Sequence, residues 1–429
     1  MNNYQDWNFK DNPFKTTSLP AEDEGNNLIA GREQEIRKLI RRIYNQPQIP
    51  TIEGLNGIGK TSIINVSIFR AFQHHLKEKN SPIFIPCIRS FQLKEDISAD
   101  DFLDEVLIEI AQTFIKYQRD LNILNVRLPD NLEEIDKWLN SPFTKSYQGS
   151  LGTPLLSLGG GQTIEANTSR GFEKSGFRRA VRNWLINMFP KENSGGVVCV
   201  IDNLELLEKS QNARKIIEDL RDNLFNIQGI RWIMCGSLGI VSSIVSSPRL
   251  EGLMHDPLQI GGIQKIHLGE VFERRVKTYR RNQEYYLPIT KQSFGLLYDV
   301  LKSNIRNTLK YANDFCVWID DMGLKPSTID AKEMAFMDWL TKKSNKYLVD
   351  VKTQIKPRTL KLFKDAIEID GIFAMGDFQL FEYQSAQKMR SCIRSLESVG
   401  LVVSVIDEND HRRKSIQITP KGWFVSHAL

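Results

Sequence analysis

One octapeptide constrains this chain more than any other stretch: Gly54-Leu55-Asn56-Gly57-Ile58-Gly59-Lys60-Thr61. A glycine, four residues and then Gly-Lys-Thr is the spacing of a phosphate-binding loop. The glycines let the backbone fold into a concave nest whose N–H groups converge on an anion, and the helix that follows points its positive end at the same place. Lys60 would reach the β- and γ-phosphates, and Thr61 would offer its hydroxyl to Mg²⁺. The flanks agree with the motif: Ile49–Glu53 reads as a short strand and Ser62–Ile68 as the start of a helix. The candidate ligand contacts are Gly54, Asn56, Gly57, Ile58, Gly59, Lys60, Thr61 and Ser62, with Arg32 added from the helix ahead of the loop.

A chain of 429 residues has room for two or three domains and a large core. Its 41% hydrophobic and 25% charged residues are ordinary for a soluble protein, and the net charge of +5 is compatible with nucleic acid without implying it. The first residues carry no apolar signal segment and no run approaches membrane-spanning length, so a cytoplasmic protein is expected. Cys87, Cys199, Cys235, Cys316 and Cys392 are scattered without metal-binding spacing. The first three lie in apolar, strand-like runs and read as buried neutral thiols.

Residues 1–28 are a polar leader whose Asn12-Pro13-Phe14 offers one apolar anchor, either a stray aromatic or a plug on the nucleotide domain. From Glu33 an amphipathic helix places Ile36, Leu39, Ile40 and Ile43 on one face. Residues 145–176 are rich in Gly and Ser and read as a loop or exposed hairpin inserted in the nucleotide domain. Gly196–Ile201 is an apolar run suited to a strand covered on both faces, and it ends in Asp202. An acid at the carboxyl end of such a strand can hold Mg²⁺ directly or through water. The next position, where a water-orienting glutamate is expected, is Asn203, and Glu205 could stand in only if the turn carries it inward. ATP and Mg²⁺ binding is therefore expected, while turnover is left open. A further strand, Gly229–Gly236, presents Ser237 as a candidate γ-phosphate sensor, Arg249 could reach a neighbouring subunit's nucleotide, and Ile263–Leu268 reads as the last strand.

Beyond residue 269 the pattern is helical, and residues 271–313 hold nine basic against three acidic side chains. Near Lys356-Pro357 a third region begins, with helices followed by two strands and a charged tip. Helices followed by a β-hairpin are the layout of a winged helix, with Lys388, Arg390, Ser391, Arg394 and Ser395 outward on the recognition helix and Arg412, Arg413 and Lys414 on the wing. Such an arrangement suits major-groove entry with a backbone contact from the wing. Winged helices also serve as protein contacts and as lids.

Together these features resemble the AAA+ ATPases of the initiator type, which include origin-recognition proteins and transposition-regulator ATPases. The residues that carry the resemblance are Asn12-Pro13-Phe14, Gly31-Arg32-Glu33, the phosphate loop, Ile201-Asp202, the strand ending at Ser237 and Asn304-Ile305-Arg306. The resemblance implies a parallel sheet of order 5-1-4-3-2, ATP at the boundary between subunits of a homo-oligomer, and a helical lid on which Arg306 reaches the γ-phosphate. The implied layout is a leader (1–28), an ATPase domain (29–268), a lid (269–350) and a winged helix (355–429). The signal-transduction ATPases also join a phosphate loop to a winged helix, so an anti-phage switch that gates a partner effector without DNA is the alternative. No Asn-Lys-x-Asp guanine-reading motif is present.

Overall fold

The computed structural model describes residues 3–429 apart from 46, 79–80, 95–96, 124–125, 127, 130, 141–173, 205–212 and 407–413. The inserted segment, Glu205 and the wing residues Arg412 and Arg413 lie outside or almost wholly outside these residues.

Five parallel strands form the central sheet: β1 (Thr51–Gly54), β2 (Ile83–Pro86), β3 (Gly195–Ile201), β4 (Ile230–Gly236) and β5 (Leu258–Ile260). Their order is β2-β3-β4-β1-β5, the expected 5-1-4-3-2 read from the other edge. Every residue of β1, β3 and β4 is buried, as apolar strands covered on both faces require. The period of two decides which core each side chain joins. Val198 and Val200 of β3 pack to one side, and Val197, Cys199 and Ile201 to the other.

Helices α1 (Asn3–Asp6), α2 (Asp23–Leu28), α3 (Glu33–Tyr44) and α4 (Lys60–Lys77) lead into and out of β1. On the opposite face lie α5 (Ala99–Ile123), α6 (Leu132–Asn140), α7 (Lys174–Met188) and α8 (Ala213–Leu220). The short α9 (Ile240–Val245) follows β4. The last strand falls earlier than the sequence suggests, because Gly261-Gly262 ends β5 and residues 265–267 form a 3₁₀ turn into the next helix. That expectation for Ile263–Leu268 was wrong. The run is apolar, but Tyr298 donates its hydroxyl to the Ile263 carbonyl at 2.9 Å, which takes up the acceptor that a sheet neighbour would use.

The leader is built into the molecule. Tyr4, Trp7, Phe9 and Phe14 are all buried. Asn12 Oδ1 accepts from the Phe14 amide at 2.7 Å, an Asx turn that aims the phenyl ring at Phe272 and Phe294.

Four helices follow the sheet: α10 (Leu268–Tyr279), α11 (Lys291–Val300), α12 (Ile305–Asp321) and α13 (Ile329–Lys352). The carboxyl-terminal unit contains α14 (Pro357–Glu368), β6 (Ile372–Ala374), α15 (Ala386–Ser398), β7 (Val402–Ile406), β8 (Lys414–Ile418) and α16 (Pro420–His427). Its antiparallel sheet has the order β6-β8-β7, which gives a winged helix with a third short strand and a closing helix beyond the sequence expectation. Phe424 of α16 packs on Tyr311 of α12 with ring centroids 4.6 Å apart, so the winged helix shares a continuous core with the helices before it.

Candidate functional site

The turn between β1 and α4 meets the geometric demands of the motif. Gly57 (φ +82°) and Gly59 (φ +105°) occupy the left-handed region, where a side chain would be strained. At Gly57 space forbids one as well, since a Cβ would lie 2.7 Å from Asn304 Oδ1. Lys60 is buried and folds back over the loop, donating to Gly54 O at 2.7 Å and Leu55 O at 3.3 Å.

Asp202 stands at the tip of β3, 6% exposed. Its Oδ2 accepts from Thr61 Oγ1 at 2.8 Å, and its Oδ1 accepts from the Asn203 amide at 2.9 Å. The spacing of 141 residues thus closes into one hydroxyl–carboxylate pair beside the loop. Oxygen donors of this kind suit Mg²⁺, which keeps most of its waters and takes one or two protein ligands. Asn203 itself is left-handed (φ +58°), a conformation Asn tolerates better than glutamate does.

From the other side the lid reaches the loop. Asn304 Nδ2 donates to Asn56 O at 2.8 Å, and the Arg306 amide donates to Gly57 O at 3.1 Å. Arg306 lines the cavity over the loop together with Lys60, Thr61, Asp202 and Asn203. Other parts of the wall come from residues distant in sequence from the loop. These are a strap, Thr16–Leu19, with Leu28, Ile29, Val271, Arg275 and Leu309. Their contribution is tertiary and leaves no local spacing to read.

Other expected contacts have different employment. The Ser62 hydroxyl accepts from the Leu19 amide at 3.0 Å, tying the strap to α4. Arg32 is buried, pairs with Glu35 at 2.9 Å and donates to Ile58 O and Gly261 O at 3.0 and 2.8 Å. It braces the phosphate loop against the end of β5. Ser237 is buried, with Oγ 3.4 Å from Asn56 Oδ1. Arg249 lies outside the cavity wall, exposed and paired with Glu218 and Asp222 at 3.3 and 3.2 Å.

Glu53 was also missed. Though almost fully buried, it accepts from the Gly239 and Ser242 amides at 3.1 Å each, from Ser242 Oγ at 2.8 Å and from Gln259 Nε2. It thereby ties β1 to the segment after β4 and to β5. On the winged helix, Lys388, Arg390 and Arg394 are exposed on α15, opposite the buried Met389, Cys392, Ile393 and Leu396. Lys388 donates to Gln384, and Lys414 opens β8 opposite Ile406.

No family model matches the sequence, and no curated protein does. Solved structures with a similar chain course include the Aeropyrum pernix ORC2 protein in ADPNP–ADP complexes, 13% identical, with 98% of each chain covered and a TM-score of 0.48. The Walker-type ATPase of Pyrococcus abyssi is 12% identical over 97% of this chain and 99% of that one, with a TM-score of 0.46. The Aeropyrum pernix ORC1 protein in complex with DNA is 11% identical over 93% of each, with a TM-score of 0.43. The sheet order, the loop after β1, the acid ending β3 and the helical lid make this a phosphate-loop α/β fold built on a parallel five-stranded sheet, with a winged helix at its carboxyl end.

Proposed function

We propose that the protein binds ATP with Mg²⁺ and works as a nucleotide-dependent switch that engages duplex DNA through its winged helix. The observation that carries the first half is the Thr61–Asp202 pair beside a loop whose lysine is already turned inward. In this reading Lys60 and the loop amides hold the phosphates, Thr61 and Asp202 hold the cation, and Arg306 answers the γ-phosphate from the lid. Ser237 senses that phosphate through Asn56, and Arg249 exchanges its intramolecular carboxylates for a neighbouring subunit's nucleotide on assembly. Asn203 makes the site a clamp with slow turnover, since no acid follows Asp202 and Glu205 would have to supply one.

The exposed Arg390, Arg394 and Lys388 favour DNA as the partner of α15, with Arg412, Arg413 and Lys414 reaching the backbone from the wing. A second reading, in which the winged helix instead gates an effector protein in a defence system, draws on the acids 407, 408 and 410 beside those basic residues. The proposal is tested by sizing the purified protein with and without ATP and duplex DNA. ATP-dependent growth in size and salt-sensitive duplex binding are expected. Assembly with ATP but no duplex binding would favour the effector reading, and the absence of both defeats the switch.

A further inference from the structure

Glu53 is a buried carboxylate in a strand whose position calls for an apolar residue. It is 1% exposed and lies between Ile52 and Gly54 in β1, every residue of which is buried. A carboxylate there is costly unless its oxygens are satisfied by donors, and they are. Oε2 accepts from the Gly239 and Ser242 amides at 3.1 Å each, and Oε1 accepts from Ser242 Oγ at 2.8 Å and from Gln259 Nε2. All four donors are uncharged, and oxygens so occupied are not free to act as the base that Asn203 fails to supply. What the carboxylate holds is the chain that leaves β4. Glu53 stands opposite Gly236 in the sheet, at the end of β4, and its side chain grips the Gly239 amide three residues later. One residue therefore fixes both ends of the short span Ser237–Leu238. Gly239 is itself left-handed (φ +89°), so the chain turns directly behind that span.

The span carries Ser237. This serine is buried, and its Oγ lies 3.4 Å from Asn56 Oδ1, which also lies 3.5 Å from Lys60 Nζ. Asn56 in turn lines the nucleotide cavity. We propose that Glu53 is a positioning residue that holds Ser237 against Asn56, so that the loop distinguishes a nucleotide with a γ-phosphate from one without it. In this role Glu53 meets neither nucleotide nor cation and acts through the Gly239 and Ser242 amides. The role rests on the reading of Ser237 as a γ-phosphate sensor and adds to it the residue that keeps the sensor in place.

The test measures the affinities of ATP and ADP, each with Mg²⁺, by calorimetry on the full chain. The variants are Glu53→Met, Glu53→Gln, Ser237→Ala and the double variant of Glu53→Met with Ser237→Ala. Methionine fills the space and leaves the two amides unheld, so the preference for ATP over ADP should fall about fivefold, the scale of one hydrogen bond. Ser237→Ala alone should give the same fall, and the double variant no further one. Glutamine can keep an oxygen toward the two amides while Ser242 and Gln259 turn to accept from its NH₂, so it should retain the preference. If Glu53→Met does not melt cooperatively, Glu53→Asp takes its place, since a side chain one methylene shorter draws the carboxylate back from both amides. A lower melting temperature with the wild-type preference intact overturns the proposal and leaves Glu53 a purely structural residue. A glutamine variant that loses the preference equally also overturns it, as does a double variant whose loss is the sum of the two. A wild type without a preference for ATP, or an unchanged preference in Ser237→Ala, overturns the sensor reading and the proposal with it, and does so with Glu53 untouched. A wild type that binds neither nucleotide overturns the phosphate-loop reading itself.

Discussion

At the scale of single residues the site turns on two neighbours, Asp202 and Asn203. Asp202 receives a hydroxyl and an amide hydrogen bond, so Asp202→Asn puts an amide where both oxygens accept. The expected result is loss of Mg²⁺-dependent ATP binding with a melting temperature close to wild type, read by calorimetry with and without EDTA. Lys60→Ala should abolish binding with or without the cation. Asn203 presents a different problem. Placing the customary acid there by Asn203→Glu forces a glutamate to φ +58°, at a cost of about 1 kcal/mol. We expect a lower melting temperature and no gain in phosphate release, whereas Asn203→Gly should be neutral or slightly stabilising. A clear gain in turnover for the glutamate variant would show that the site lacks only its base.

At the scale of elements, the junction between α12 and the phosphate loop divides one side chain between two tasks. Asn304 Oδ1 caps α12 by accepting from the Asn307 amide at 3.1 Å, while its Nδ2 holds Asn56 O. Asn304→Ala removes both and should destabilise the fold by about 1 kcal/mol through the lost cap. Asn304→Asp keeps the cap but cannot donate to the loop. Both variants should narrow the preference for ATP over ADP, and only alanine should lower the melting temperature. If aspartate behaves as wild type in nucleotide preference, the lid does not report through this contact. The sequence made the loop, Asp202, the buried β3 and the exposed face of α15 legible, because each follows from local spacing: a glycine pattern, a run of apolar residues, a helical period. It concealed the strap and Glu53, whose partners lie far away in the chain. It also misplaced β5, which has only three residues and ends at two glycines, the second of which, Gly262, approaches Ser303 closely, a tertiary fact.

Across the whole molecule, the nucleotide site and the winged helix are separated by one short turn. Lys302 and Ser303, both left-handed, precede the Asn304 that touches the phosphate loop. Lys302 Nζ pairs with Asp370 of the winged helix at 3.1 Å and lies 5.0 Å from the Trp423 ring centroid. The ion pair is exposed and contributes little alone. The shared core around Phe424, Tyr311 and Trp339 must hold the two units together. The chain from 269 onward should therefore melt as one unit, and saturation with ATP at a hundredfold over Kd should stabilise it by about 2.7 kcal/mol. The same continuity separates the two functional readings. Reversing Arg390 and Arg394 to glutamate alters exposed positions on α15, remote from the loop contacts, so ATP binding and melting should be unchanged. If α15 meets DNA, duplex affinity falls and the dependence of its logarithm on log salt flattens by about one for each phosphate contact removed. If the double reversal leaves duplex binding and its salt slope intact, α15 is not the DNA-facing helix. The basic helices of 271–313 then become the surface to test.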